Sequence, residues 1–161
     1  MPGDIEYAQF ELGVLRETLE LTEGDPSVLQ LGGFHGDVKK NEQKKSGGYE
    51  SHHIPAQSVF SVCADELPAI ALTKEDHKKT DSYAGKQGHR FKPVWPSVQE
   101  QGTYKEEVIS DIDEGAPGFI SVVRAEIYNI KDQFGSKYDG ALGQYLDALS
   151  EYIAKNGIPK T

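Results

Sequence analysis

The 161-residue chain carries 17 Lys and Arg against 26 Asp and Glu, a formal net charge of −9, with 37% hydrophobic residues, 17 Gly, 8 Pro and one Cys. That length suits one domain with its own core, and the lone Cys63 excludes an internal disulfide framework and any multi-thiolate zinc site. No apolar run nears the roughly 18 residues of a membrane span, the opening MPGDIEYAQFELG lacks the basic flank and apolar stretch of a secretory signal, and a pI near 5.0 argues, for the chain taken whole, against general electrostatic attraction to nucleic acid.

In chain order, residues 5–22 place Ile5, Ala8, Leu12, Leu15 and Leu19 at spacings of three and four. This predicts an amphipathic helix with Asp4 as N-cap and Gly24, Asp25 and Pro26 as its stop. Ser27 to Leu31 reads as a short strand before Gly32 and Gly33. Asp37 to Gly48, DVKKNEQKKSGG, is polar and basic and predicts an exposed loop or hairpin tip. After Pro55, the stretch AQSVFSVCADELP fits a short helix or an irregular loop, with Val59, Phe60, Val62 and Leu67 inside. Pro68 to Leu72 is β-compatible. Thr73-Lys74-Glu75-Asp76 has the form of a capped helix start, in which Thr73 accepts from the N–H three residues on and the acidic residue there reaches back. Residues 85–103 are rich in Gly and Pro, with Trp95 as anchor. Two helices follow, over 119–133 and 139–155, with Gly135 and Gly157 as C-caps.

Charge is distributed unevenly along the chain. Residues 1–34 hold 1 basic and 7 acidic residues, 96–161 hold 6 and 11, and 35–95 hold 10 and 8. The flanks therefore carry the acidity, while the middle is +2 and contains all five histidines, His35, His52, His53, His77 and His89. Adjacent histidines on an extended segment point to opposite faces, so one of His52 and His53 can hold a metal while the other serves a second role. A neutral imidazole can take a proton from water near pH 7, and a divalent cation can stabilise charge on an attacked phosphate. On a helix begun at Thr73, His77 and Asp81 share a face, so His52, His77 and Asp81 make a His/His/carboxylate set with positions left open. That set suits Mg²⁺, Mn²⁺, Zn²⁺ or Ni²⁺.

The order of parts is a Gly pair, Ser51-His52-His53-Ile54-Pro55, the apolar run Pro68-Ala69-Ile70-Ala71-Leu72-Thr73, then Lys74-Glu75-Asp76-His77-Lys78-Lys79-Thr80. From about Gly47 to Tyr83 this resembles the His-Me finger nucleases, the HNH and endonuclease VII superfamily, and is most similar to the SHH-type toxin domains of bacterial polymorphic toxin systems. The resemblance implies an α+β fold built on a small ββα-metal core, with mainly helical N- and C-terminal additions. It would form a single nuclease domain over 1–161, with a helical region 1–34, a catalytic core 35–95 and a helical region 96–161. It implies that His53 is the general base, His52 a metal ligand and His77 a ligand or water-organising residue. Asp81 is the third ligand at the i+4 spacing, with Thr80 or Ser82 as alternatives that would orient a metal-bound water. No acidic residue directly precedes His53, so His52 takes the first ligand position, and no zinc-ribbon cysteines support the hairpin.

Ten cations in the middle segment, Lys39, Lys40, Lys44, Lys45, Lys74, Lys78, Lys79, Lys86, Arg90 and Lys92, supply a local positive field. Arg90, the only arginine there, is the candidate phosphate clamp, because its planar fork suits bidentate contact. No zinc-finger, helix-turn-helix or RNA-recognition signature is visible, so cleavage with little sequence preference is expected. The resemblance implies a metal-dependent endonuclease, a non-specific DNase ahead of an RNase. It would act as an antibacterial toxin or secreted effector in the target-cell cytoplasm, with DNA as substrate, a cognate immunity protein as partner and no membrane association. The chain would be either an excised part of a larger secreted polypeptide or a complete small effector. A non-catalytic acidic interaction protein, immunity or adaptor, with structural histidines is the competing expectation.

Overall fold

The computed structural model describes residues 3–44, 48–55, 59–80 and 104–161. The fold is α+β: a three-stranded antiparallel sheet with helices around it. Helix α1, Asp4–Leu19, buries Ala8, Leu12, Leu15 and Leu19, the predicted stripe. Two details differ from the sequence reading. Gly3, at φ 92, holds the N-cap position, so Asp4 lies inside the first turn and serves the helix dipole. The helix also ends at Leu19, its last buried residue, where Glu20 turns left-handed at φ 49, before Gly24 is reached.

The predicted strand over 27–31 is displaced. Asp25 Oδ1 accepts from both Ser27 N and Ser27 Oγ, at 2.8 and 2.7 Å, and Val28 N–H donates to Asp25 O, which holds that segment in a turn. Strand β1 is instead Gly32–Phe34. Its first glycine is required by packing: a Cβ on Gly32 would collide with the Ala141 carbonyl, while Gly32 N–H donates to Gln144 Oε1 at 3.0 Å. Gly32→Ala is expected to cost about 1–3 kcal/mol through this overpacking; an unchanged urea midpoint would show that the neighbouring helix can yield.

The segment expected as an exposed loop is helix α2, His35–Lys44. Lys39, Lys40, Glu42, Gln43 and Lys44 favour a helix while His35, Gly36, Asp37 and Asn41 do not, and the fully buried Val38 docks the helix against the sheet. Strand β2, Tyr49–His53, and strand β3, Pro68–Thr73, follow, separated by a one-turn 3₁₀ helix at Ala64–Glu66. Val59, Phe60 and Leu67 are buried as expected, and Val62 is partly so. Central β3 pairs with β1 on one side and β2 on the other, with His52 opposite Ile70 and His53 opposite Ala69. Helix α3, Lys74–Lys79, begins at the predicted Thr73 cap, whose side chain accepts from Asp76 N.

Three helices complete the fold: α4, Tyr104–Asp113, α5, Ala116–Phe134, and α6, Asp139–Asn156. The last two, with Gly135 and Gly157 closing them, match the sequence reading. Helix α4 was not foreseen, because Val108 and Ile112 are its only fully buried apolar residues among those described. It meets α5 at Gly118, where a Cβ would strike the Asp111 carbonyl. Helix α6 packs on β1 and β3 and also on α1, which in turn packs on α5. Leu12, Leu15, Ile70, Leu72, Phe119, Ile127, Leu142 and Tyr145 fill one core between them. Among the described residues, no helix is long and apolar enough to cross a membrane.

Candidate functional site

Strand alternation sorts the histidines. Residues 49, 51 and 53 of β2 project to one face and residues 50 and 52 to the other. On the first face α2 brings His35 over the strand: His35 Nδ1 lies 2.7 Å from Ser51 Oγ, and the His35 and His53 rings are tilted at 38° with centroids 4.3 Å apart. On the second face α3 brings His77 to His52, with centroids 5.0 Å apart and edge to face, and His77 Nδ1 sits 3.0 Å from Glu50 Oε1. Strand β2 therefore divides the four histidines into two pairs, His35 with His53 and His52 with His77.

The acceptors fix two tautomers. Ala64 O can only accept, so His53 Nε2 donates to it at 3.0 Å and the lone pair of the neutral ring lies on Nδ1. The Glu50 carboxylate likewise can only accept, so His77 Nδ1 carries the hydrogen of their 3.0 Å bond. Burial pushes the His53 imidazole down to about 4, against the opposing pull of the Ala64 carbonyl and with the His35 ring adding to the fall. Burial also holds His52 well below its usual range, with His77 and His53 contributing in the same direction. His35 is lowered by burial too, partly offset by Asp65, whose Oδ1 is 3.9 Å from His35 Nε2. All three rings are thus neutral near pH 7, the form that accepts a proton or binds a cation.

These shifts carry a stability consequence with a definite sign. The unfolded chain protonates its imidazoles near 6.5, whereas the folded protein resists until about 4 at His53. Stability is then fully present above pH 6.5 and is lost as pH falls through this window. His53 alone is expected to remove about 2 kcal/mol by about pH 5 in the metal-free protein. Urea midpoints measured between pH 7 and 5 check this, and a flat profile would contradict it.

Helix α3 is anchored through Asp76. Lys137 Nζ and Tyr138 Oη both donate to Asp76 Oδ2 at 2.7 Å. The expected return bond from Asp76 to the Thr73 amide is replaced, because Thr73 N donates to Tyr138 Oη at 3.1 Å. The exit of β2 is tied down by Tyr145 Oη, which donates to Ile54 O at 2.6 Å inside the core.

The remaining predicted residues separate as follows. Helix α3 ends at Lys79 and Thr80 is extended, so the helical spacing used to join His77 to the 81st residue does not continue that far. Asp81, Ser82 and Arg90 lie outside the described residues, as do His89, Lys86 and Lys92. Thr80 is buried, and its Oγ1 donates to His77 O at 2.8 Å to close the helix. Lys39 and Lys40 on α2 and Lys74, Lys78 and Lys79 on α3 are exposed on the two elements that flank β2. Sequence reasoning gave no role to His35, Glu50 or Asp65. His35 adjoins a segment whose sequence predicts a loop, and its one signal is membership of the middle segment that holds all five histidines. Among the described residues, no group of three or more His, Cys, Asp or Glu is arranged to hold a metal ion. What they do supply is a pair of imidazoles, His52 and His77, with the tautomer of one fixed by a carboxylate.

Comparison of the chain with family models, with curated proteins and with solved structures finds no match.

Proposed function

We propose that this protein is a metal-dependent endonuclease that hydrolyses phosphodiester bonds through a ββα-metal unit formed by β2, β3 and α3. The observation that carries the reading is the state of His53. Its Nε2 proton is committed to the Ala64 carbonyl at 3.0 Å, so the neutral ring offers Nδ1 as its basic atom. A group oriented through one nitrogen and basic at the other is what abstraction of a proton from an attacking water requires. The His35 ring against it restricts the His53 ring plane.

β2 is the edge strand of the sheet, with the His35/His53 pair on one of its faces and the His52/His77 pair on the other. The lysines of α2 and α3 on either side favour a polyanion there, through contacts that are individually weak and salt-sensitive. His52 and His77 are the proposed imidazole donors to a divalent cation, with Glu50 in the supporting position that fixes a ligating ring; Asp81 is the proposed third donor. A cation held there would neutralise charge developing on the phosphate oxygens. His53 takes the proton from water, and Arg90 is proposed to hold a phosphate oxygen. The delivery reading, a bacterial toxin domain restrained by an immunity protein, rests on the sequence resemblance alone.

Supercoiled plasmid and a matched RNA, incubated with Mg²⁺, Mn²⁺, Zn²⁺ or Ni²⁺ and with chelator, test the proposal. Cleavage of DNA that stops with chelator is expected. Cleavage of RNA alone would change the substrate, and no cleavage with any ion would overturn the reading. Calorimetry distinguishes the non-catalytic alternative: ion binding is expected to weaken by at least about tenfold in His52→Ala and in His77→Ala.

A further inference from the structure

Beside the His35/His53 face lies a cleft of about 280 Å³ lined by Phe34, Asp65, Glu66, Tyr152, Lys155 and Asn156. It is joined to the candidate catalytic imidazole by covalent structure. The 3₁₀ turn Ala64–Glu66 supplies the carbonyl that orients His53, and its next two residues supply the carboxylates of the cleft. Phe34 directly precedes His35, and Asp65 faces His35 across 3.9 Å.

We infer that this cleft is a nucleobase subsite that takes an unpaired guanine next to the scissile phosphate, an inference that rests on the phosphodiesterase reading above. Three features of the lining select the ligand. Two aromatic rings, Phe34 and Tyr152, give a planar ring system apolar surface to lie against. Two carboxylates exclude a phosphate from the cleft itself, since Lys155, its one cation, is engaged by Glu151 at 3.1 Å. The volume falls just below the roughly 300–1,000 Å³ of drug-sized sites, which suits a single base.

Hydrogen-bond polarity then chooses among the bases. Carboxylates such as Asp65 and Glu66 only accept, and Asn156 Nδ2 is used on Tyr152 O at 3.3 Å, leaving its Oδ1 as an acceptor. The matching edge must therefore offer adjacent donors. Guanine does so with N1–H and the N2 amine, and a carboxylate can accept both in charge-assisted bonds. Adenine and cytosine place a ring acceptor beside their amine, and thymine flanks its N–H with two carbonyls, so each would turn a lone pair toward a carboxylate. The edge is accessible only when the base is unpaired, which favours single-stranded or locally opened substrate. Cleavage without sequence preference, the expectation from the sequence, is revised to a preference for guanine beside the cut.

The test separates this subsite from the chemistry. dGMP, dAMP, dCMP and dTMP are titrated into the metal-free protein, with the His53–Ala64 bond intact, while its amide resonances are followed by NMR. Binding of dGMP about tenfold tighter than the others is expected, with shifts centred on Phe34 and Tyr152, and the difference is expected to vanish in Asp65→Asn/Glu66→Gln. Equal binding of the four nucleotides, no binding at all, or shifts centred elsewhere would overturn the subsite. Fragment ends from the wild-type digest are sequenced in parallel, and guanine is expected next to the break. Selective dGMP binding in a protein that cuts neither DNA nor RNA would uphold the subsite and overturn the nuclease reading, and cleavage without selective binding would do the reverse.

Discussion

His53→Ala is expected to lower phosphodiester cleavage by about 10²- to 10⁴-fold, the usual contribution of a positioned general base. The fold should survive, because the ring packs on His35 and bonds Ala64 O at the border of the sheet, outside the main apolar core. His53→Gln sharpens the test. Its amide can still donate to the Ala64 carbonyl, so it keeps the structural bond and loses only the basic nitrogen. If His53 is a base, both variants are nearly inactive with unaltered circular dichroism. If the ring is merely structural, His53→Gln retains most of the activity, and that result would remove the mechanism. His35→Phe, which keeps a ring against His53, is expected to lose far less than either.

Asp76→Ala is expected to destabilise the protein by about 2–4 kcal/mol, because one side chain organises α3, the residue before α6 and the helix cap together. Asp76 is buried and accepts from both Lys137 and Tyr138. Burial alone would raise its pKa, yet the bonds and charge of Lys137 and the Tyr138 hydroxyl outweigh it and the carboxyl is lowered. Burial holds the Tyr138 phenol up at about 12, so it remains a donor to Asp76 throughout the useful pH range. A depressed carboxyl contributes stability that is present above its ordinary value of 3.8 and lost as pH falls through its lower folded value. Asp76→Asn keeps some hydrogen bonding and is expected to cost less, and Tyr138→Phe about 1–2 kcal/mol. Urea denaturation ranks the three; a cost for Asp76→Ala within about 0.5 kcal/mol of zero would place it with ordinary surface substitutions. Because His77 directly follows Asp76, ion binding should weaken in the same variants even at temperatures where they remain folded.

Legibility in the sequence followed the strength of local signals. The stripes of α1, α5 and α6, the glycine stops at 135 and 157 and the Thr73 cap were readable, because apolar spacing and capping chemistry act within a few residues. Strand β1 was not, since Gly32 and Gly33 have low strand propensity; residue 32 is glycine because α6 approaches too closely for a side chain there. Helix α2 leaves no periodic trace in the sequence, because Val38 is the one buried apolar residue among its described side chains. The pairing of His52 with His77 was anticipated from order and spacing. The helix meant to carry the next ligand ends too soon, at Lys79, and nothing local in the sequence marked that stop.

The sequence by itself determined that the histidines are concentrated in one segment, and four of them, His35, His52, His53 and His77, meet at one strand. It also determined that His52 and His53 would diverge, because the two-residue period of a strand permits nothing else. Only the tertiary structure decided what each imidazole faces. His53 is oriented by a carbonyl eleven residues away and His77 by a carboxylate twenty-seven residues away. Such partners are set by the register of β2 on β3 and by the docking of α2 and α3, long-range terms that leave no mark in local spacing. The net charge of −9 is likewise an average, over acidic flanking segments and a slightly basic middle, which the sequence alone resolves.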